Sequence, residues 1–184
     1  SNITREEYSI MLLNSNFWKQ FKGEKILIYQ EDTIILKKLN PKFLKYDYIG
    51  APFYNKDIGN GGLSLRTKDI MIKVCTEYFD SYIKDMERNV LILKKYKDRL
   101  KMKYGNNFLR DKRFLFFYKI EESILEDLQI TNRLKKYNIG LLPDFNTATE
   151  FSIEKYYNDN AFGGHQFWYS VDNLIPWLRK KLNN

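Results

Sequence analysis

The sequence predicts a single α/β domain, and three observations carry this prediction. The chain has 184 residues, which is enough for one domain with a sizeable core. Its composition is 43% hydrophobic and 16% aromatic, unlike that of a disordered chain. Short apolar runs typical of strands are interspersed with segments of helical periodicity. We therefore expect a mixed sheet flanked by helices.

The N-terminal segment predicts one helix followed by a strand. Residues 4–21 form an amphipathic pattern that opens with a T-x-x-E capping box, Thr4 and Glu7, and ends at Gly23. The run KILIY that follows is short, apolar and typical of a central strand in an α/β sheet. Polar residues 30–32 come next, and TIILKKL then continues as either a second strand or a short helix.

Turn signals divide the next part of the chain into two further strands and a helix. Asn40 and Pro41 precede KFLKYDYIGAPF, which predicts a strand. Residues 59–62, Gly-Asn-Gly-Gly, form a flexible turn, and LSLR after them predicts another strand. Thr67 is then the expected N-cap of a helix that runs to about Phe79.

Residues 80–119 differ in composition, being rich in Lys, Arg, Asp and Glu. We interpret them as a helical insertion, a hairpin that breaks near Gly105. Beyond it, residues 121–137 predict an amphipathic helix, and residues 139–142 predict a strand.

Charge and cysteine content restrict the class of function. The formal net charge of +8 attracts nucleic acid, anionic lipid or phosphorylated small molecules. No nucleic-acid-binding motif accompanies that charge, so no nucleic acid is expected as a partner.

The single cysteine, Cys75, suits a reducing compartment and a buried structural thiol. With no signal peptide and no transmembrane segment in the sequence, we expect a cytoplasmic protein.

The first candidate site is the carboxylate that follows the KILIY strand. Asp32 lies two residues after Gln30, at the strand end where ligands collect in open α/β sheets. Oxygen donors at this edge suit a hard divalent cation and its diphosphate ligand. A turn or a helix cap is the other interpretation of such an aspartate.

The second candidate is the glycine-rich turn. Gly61 and Gly62 let the backbone approach a ligand closely, and Asn60, Ser64 and Arg66 offer polar groups beside them. A plain hairpin turn is the alternative. No Gly-Lys-Ser/Thr follows the glycines, so the segment is not a P-loop.

Two further candidates lie in the C-terminal half. Glu126 and Asp127 form an acidic pair within the apolar run SILEDLQI, where a partly buried carboxylate can act as a general base. Solvated helix surface is the alternative. His165, the only histidine, is either a packed core residue or a metal ligand that completes a site begun by Asp32. The sequence contains none of the motifs of a serine nucleophile, a cysteine nucleophile or a zinc site.

Taken in order, these pieces resemble a glycosyltransferase-like family of domains of unknown function. Its hallmarks are an FW pair in a helix, a strand ending in Q-x-D, YDYIGAP, GNGGLSLR, an acidic pair, FS-x-E, and G-x-H followed by tryptophan. They stand here at Phe17-Trp18, Gln30 to Asp32, Tyr46 to Pro52, Asn60 to Arg66, Glu126-Asp127, Phe151 to Glu154 and Gly163 to Trp168. The likeness covers nearly the whole chain except residues 80–119.

The motif order is also similar to inverting GT-A transferases of the β-1,3-galactosyltransferase kind. This resemblance implies a GT-A-like mixed sheet in which Asp32 and His165 bind Mn²⁺ or Mg²⁺. Asp127, with Glu126 beside it, is then the expected catalytic base. The residues expected to bind donor or acceptor are Gln30, Asn60, Gly61, Gly62, Ser64, Arg66 and Trp168. The implied partners are a nucleotide-sugar donor and a glycan, lipid-linked or protein acceptor.

The sequence departs from that pattern in two places. Gln30 replaces the first aspartate of the D-x-D motif, which weakens the expected metal binding. Only one helix precedes the KILIY strand, whereas GT-A domains begin with a nucleotide-binding βαβ unit, which we expect upstream in a longer parent chain. The alternatives are a non-catalytic binding or scaffolding domain, and a nucleic-acid-binding protein that uses the basic residues of 80–119.

Overall fold

The computed structural model describes residues 3–104 and 125–166, and there the fold is mixed α/β with two small open sheets. The strands, in chain order, are β1 (Lys25–Tyr29), β2 (Thr33–Ile35), β3 (Tyr48–Gly50), β4 (Leu63–Thr67), β5 (Ser152–Ile153) and β6 (Gly163–His165). One sheet has the order β1-β4-β3, with both pairs antiparallel. The other has the order β2-β6-β5, in which β6 is antiparallel to β2 and parallel to β5.

Helices pack around the β1-β4-β3 sheet. They are α1 (Arg5–Leu13), α2 (Ser15–Lys19), α3 (Lys68–Tyr78), α4 (Ile83–Tyr104), α5 (Glu126–Lys136) and α6 (Phe145–Phe151), with 3₁₀ turns at Pro41–Lys45 and Asp80–Tyr82. α1 packs against α4 and α5, and α2 packs against α3. The first part of the predicted insertion is thus α4, whereas residues 105–119 and the expected break at Gly105 lie outside the described residues. No helix in the described ranges is long and apolar enough to cross a membrane.

The predicted N-terminal helix is divided in two at Asn14. Its start is as expected, because Glu7 donates its backbone N–H to Thr4 Oγ1 and Thr4 donates its own to Glu7 Oε2. Asn14 has extended backbone angles, and its side chain accepts a hydrogen bond from the Asn16 N–H at the start of α2. Ser15 is also held by Asp80, through distances of 2.9 and 2.6 Å. A local cap and a contact with a distant segment therefore end α1 early.

Within the described residues, β4 rather than β1 is the central strand of its sheet. All five residues of β4 are buried, whereas Leu27 and Tyr29 of β1 are exposed. Among the described residues, KILIY is therefore an edge strand and not the central strand that was predicted. Its apolar composition does not distinguish a strand covered on both faces from one that leaves a face open.

The predicted strand at residues 139–142 is also wrong, because no strand is present there. Asp47 holds this segment instead. Its backbone N–H donates to the Leu141 carbonyl at 2.8 Å, and its carboxylate accepts from the Leu141 N–H at 2.7 Å. The Asp47 side chain thus accepts the hydrogen bond that a neighbouring strand would accept if this segment were part of a sheet.

The alternation along β4 determines what each face of the sheet contacts. Leu63 and Leu65 point into a cluster with Phe43, Phe151 and Phe162, on the side of α6. Ser64 and Arg66 point to the opposite face, because successive side chains of a strand alternate. That face is covered by the helices whose apolar residues form the larger core, which includes Trp18 and Met71. Two polar side chains are consequently buried beneath the helical layer.

Candidate functional site

The structure brings Asp32, His165 and Gln30 together. β2 begins one residue after Asp32, and its register with β6 pairs Thr33 with His165. As a result, His165 Nε2 lies 3.2 Å from Asp32 Oδ1 and 2.9 Å from Gln30 Oε1. His165 is buried, and the Asp32 side chain is 25% exposed. The two metal ligands expected from the sequence are therefore neighbours, and one of them remains open to solvent.

A second carboxylate lies on the other side of the same imidazole. Glu154 Oε2 is 3.8 Å from His165 Nδ1, and both residues are buried. Neither of those two atoms has a hydrogen-bond partner within the described part of the chain, and the same holds for Asp32 Oδ1. Burial without partners is costly for polar atoms and is a feature of sites prepared for a ligand or a proton.

The glycine-rich turn crosses directly over this cluster. A β-carbon on Gly62 would lie 2.2 Å from two atoms of the His165 ring, so the backbone rests against the imidazole. Asn60 stabilises the turn by accepting the Gly62 N–H at 2.9 Å. The Gly62 carbonyl accepts from the Gln30 N–H at 2.9 Å, which fixes the turn to the segment that carries Asp32.

The preceding residue of that turn contacts the acidic pair. Gly61 donates its N–H to Asp127 Oδ2 at 3.1 Å, and a β-carbon on Gly61 would lie 3.2 Å from the Asp127 β-carbon. The other oxygen of Asp127 accepts the Leu128 N–H at 2.8 Å, in the first turn of α5. Gly61 therefore contacts Asp127, and the next residue, Gly62, contacts His165.

Burial shifts the pKa of the Asp127 carboxyl group. Loss of hydration raises the pKa of its carboxyl, against the opposing effect of the Leu128 and Gly61 N–H donors. A raised pKa makes the deprotonated carboxylate a stronger base. Arg5, an exposed residue at the start of α1, lowers the pKa of Asp127 weakly by its charge.

Glu126 and Arg66 form a buried ion pair beneath the turn. Arg66 Nη2 donates to Glu126 Oε1 at 3.0 Å, and its Nε donates to Ser64 Oγ at 2.9 Å. The guanidinium also lies over the rings of Tyr48 and Trp18, 4.5 and 5.5 Å from their centroids. Arg66 is fully buried, and its Nη1 has no hydrogen-bond partner within the described residues.

The two members of that pair respond oppositely to burial. Burial raises the pKa of Glu126 to about 7, although the charge of Arg66 opposes the shift. For Arg66, burial lowers the pKa, but Glu126, Tyr48 and Tyr8 together outweigh burial, so the pKa is raised and the guanidinium stays charged. Glu126 is therefore partly protonated near neutral pH and forms a full ion pair only when it is ionised.

The donor set around His165 suits a divalent cation with few protein ligands. In an octahedral site with bond lengths of about 2.1 Å, adjacent ligands are about 3.0 Å apart. The distances from His165 Nε2, 2.9 Å to Gln30 Oε1 and 3.2 Å to Asp32 Oδ1, are compatible with that spacing and equally with a hydrogen bond and an ion pair. No group of three or more His, Cys, Asp and Glu side chains in residues 3–104 and 125–166 has the arrangement of a metal site. The amide oxygen of Gln30 lies beside His165 as a further oxygen atom of this cluster.

Sequence reasoning did not assign two residues that the structure places here. Glu154 occurs in the FS-x-E motif, but nothing in its spacing relates it to the histidine eleven positions later. Tyr8 of α1 interacts with Gln30 through its hydroxyl, and burial raises the pKa of that hydroxyl. Trp168, which was expected to bind donor or acceptor, lies outside the described residues.

Comparison with known proteins gives a family. Residues 2–165 match the family described as "Protein of unknown function (DUF5672)", and the chain belongs to that family. No curated protein and no solved structure matches the chain.

Proposed function

We propose that this member of the DUF5672 family is a glycosyltransferase with a GT-A-like architecture. It would move a sugar from a nucleotide-sugar donor to a hydroxyl acceptor with the help of a divalent metal. One observation carries the proposal. The dipeptide Gly61–Gly62 has the Asp32–His165 pair on one side and the Asp127 carboxylate on the other.

The residues that would hold Mn²⁺ or Mg²⁺ are Asp32, His165 and Gln30. Support comes from the spacing of their donor atoms and from Asp32 Oδ1, which has no hydrogen-bond partner in the described ranges. A metal held by few protein groups keeps positions for water and for phosphate oxygens, as is usual for Mg²⁺. When bound, the cation neutralises negative charge on the leaving diphosphate as a Lewis acid.

Asp127 is the group that would accept the proton of the acceptor hydroxyl. In the transfer, the acceptor oxygen forms a bond to the anomeric carbon, and the bond from that carbon to the diphosphate oxygen breaks. The proton of the hydroxyl passes to Asp127, and the bonding electron pair leaves with the diphosphate. The elevated pKa of Asp127 favours this proton transfer.

The remaining site residues would hold the turn and the start of α5 in position. Asn60 shapes the turn, and Ser64, Arg66 and Glu126 form a hydrogen-bonded unit below it. Arg66 was expected to bind donor or acceptor. We instead assign to Arg66 and Glu126 the positioning of the α5 start, where Asp127 lies next to Glu126 in the chain.

A non-catalytic binding domain is the second candidate. One observation favours it, since both carboxylate oxygens of Asp127 already accept backbone N–H groups. A carboxylate engaged in this way is stabilised in its charged form and is a weaker base. In that case the chain would bind a sugar nucleotide without transferring the sugar.

Matched substitutions separate the two candidates. We would measure release of free nucleotide from UDP-, GDP-, CMP- and dTDP-sugars with a panel of hydroxyl acceptors and Mn²⁺. Asp127→Asn is expected to abolish release and to keep Mn²⁺-dependent donor binding, whereas Asp32→Asn is expected to lose both. Glu31→Gln, which changes an exposed acidic neighbour of Asp32, is the control. Donor binding without release from the unaltered chain would favour the binding domain.

A further inference from the structure

The helix α4 is the longest helix in the described ranges, and the proposed function provides no role for it. It spans Ile83–Tyr104 and packs against α1. Ile83 and Val90 are buried in the larger core, and Met86 packs against that core. These three residues recur at helical spacing, so they mark the inner face of α4 and determine which face is directed outward.

The outward face of α4 carries a regular stripe of exposed residues. Because a helix has about 3.6 residues per turn, positions 88, 91, 92, 95, 99 and 102 fall within about 100° of arc, opposite the inner face. All six residues are exposed. We call this set the outer stripe, and its members are Arg88, Leu91, Ile92, Lys95, Arg99 and Met102.

The outer stripe is positively charged. Half of its residues are basic, and the acidic residues of α4 lie beside it: Asp85, Glu87 and Asp98. Asp85 pairs with Arg88 at 3.0 Å, but both side chains are exposed, so water screens that pair. From Leu91 to Lys103 the sequence has six basic residues and one acidic residue. This part of α4 therefore attracts an anionic surface.

Large aliphatic side chains lie among these charges. Leu91 and Ile92 are 57% and 56% exposed, and Met102 is 80% exposed. Scattered apolar residues are common on protein surfaces, but these three share one stripe with the basic residues. Lysine and arginine have aliphatic stems that lie along apolar surface while their charged ends stay in water. The outer stripe therefore offers apolar contact and positive charge to the same partner.

We propose that the outer stripe of α4 binds the surface of an anionic lipid bilayer. The basic side chains would contact the anionic headgroups, and the aliphatic side chains would enter the boundary between headgroups and acyl chains. Binding of this kind is peripheral, so α4 would lie on the membrane and not across it. This role is independent of the proposed sugar transfer.

Nucleic acid is the other polyanion that such a charge attracts. Proteins bind single strands by stacking bases on aromatic side chains, and they bind duplexes through phosphates and base edges. The outer stripe contains no aromatic residue. Its exposed aliphatic side chains gain nothing from contact with phosphates, whereas they gain from leaving water at a lipid surface. The composition of the stripe therefore favours lipid.

Vesicle flotation with the full chain tests the charged part of the stripe. The unaltered chain is expected to float with vesicles of equal parts phosphatidylserine and phosphatidylcholine, and not with phosphatidylcholine alone. Lys95→Gln combined with Arg99→Gln should weaken binding about 10- to 30-fold, because two charges at the lipid surface are lost.

The matched control removes the same charge from another face of α4. Lys94 and Lys101 are exposed and lie about a third of a turn from the middle of the stripe. Lys94→Gln combined with Lys101→Gln should weaken binding about 3-fold or less, because salt screens charges that are not at the surface. An equal loss in the two double variants would overturn the assignment to the outer stripe, and no binding of the unaltered chain to anionic vesicles would overturn the proposal.

The aliphatic residues distinguish lipid from the other partners. Ile92→Gln combined with Met102→Gln keeps the net charge, and it should weaken vesicle binding about 10-fold without changing affinity for duplex DNA. Unchanged vesicle binding in this variant would contradict contact with the lipid boundary. Binding of the unaltered chain to DNA but not to vesicles would replace the proposal by nucleic-acid binding. Self-association that this variant abolishes, without vesicle binding, would identify a second copy of the chain as the partner instead.

Discussion

The imidazole of His165 lies flat against the backbone of Gly62. An added β-carbon at Gly62 would be 2.2 to 2.3 Å from three atoms of that ring, which places it over the ring face rather than the edge. Real β-carbons do not approach other atoms so closely, so any side chain here must displace the histidine. The glycine at position 62 in the sequence GNGG therefore allows the turn to lie close to His165.

Gly62→Ala tests this contact. We expect the substitution to destabilise the fold by about 1–3 kcal/mol, as overpacking does, and to abolish Mn²⁺ binding because His165 moves away from Asp32. Urea unfolding and Mn²⁺ titration measure the two effects. Gly23→Ala is the control, because its added β-carbon would meet no atom closer than 3.6 Å. Normal Mn²⁺ affinity in Gly62→Ala would contradict the contact.

The buried Arg66–Glu126 pair predicts a strongly non-additive response. Arg66→Met leaves the Glu126 carboxyl group buried without its hydrogen-bond donor, and we expect a loss of about 1–3 kcal/mol in the free energy of unfolding. Adding Glu126→Leu removes the unpartnered buried carboxyl group and should recover most of that loss. Chemical denaturation of the single and double variants gives the coupling free energy.

The exposed pair of Lys135 and Asp57 is the matched control for this experiment. Lys135→Met should cost about 1 kcal/mol or less, because water screens exposed ion pairs. An Arg66→Met variant as stable as Lys135→Met would show that the buried pair does not hold the start of α5.

Glu126 also predicts a pH dependence of stability. Its pKa rises from 4.5 to about 7 on folding, so the folded state prefers the protonated carboxyl. The stability that this group contributes is fully present below pH 4.5 and is lost as the pH rises to 7. Relative to Glu126→Gln, which does not titrate, the unaltered chain should lose about 3 kcal/mol over that interval. A difference between the two proteins that does not vary with pH would contradict burial as the cause.

The sequence predicted local features well, because they depend on neighbouring residues. The Thr4–Glu7 capping box, the glycine-rich turn and the LSLR strand all occur where the residues indicated. From the residues alone, a shared site of Asp32 and His165 was one of two alternatives, and the resemblance favoured it. The β2–β6 register accounts for their proximity. Their function as metal ligands remains a prediction.

The features that the sequence did not reveal depend on long-range packing. Nothing local to LSLR indicates that Ser64 and Arg66 face a layer of helices, so Arg66 was expected to contact ligand. The break at Asn14 involves Asp80, sixty-five residues after Ser15 in the chain. Glu154 becomes a neighbour of His165 only through the pairing of β5 with β6. These long-range contacts depend on which strands and helices pack together, and the identity of a single residue does not reveal that packing.

The most direct test of the proposed function is a thermal-shift measurement with UDP-, GDP-, CMP- and dTDP-sugars, each with and without Mn²⁺. A ligand that binds only the folded state stabilises it by about 2.7 kcal/mol at a hundred times its Kd. We predict that one class of sugar nucleotide raises the Tm only when Mn²⁺ is present. Asp32→Ala should lose this shift, and Glu31→Ala should keep it. An equal shift in Asp32→Ala, or no shift with any donor, would contradict the proposed donor site.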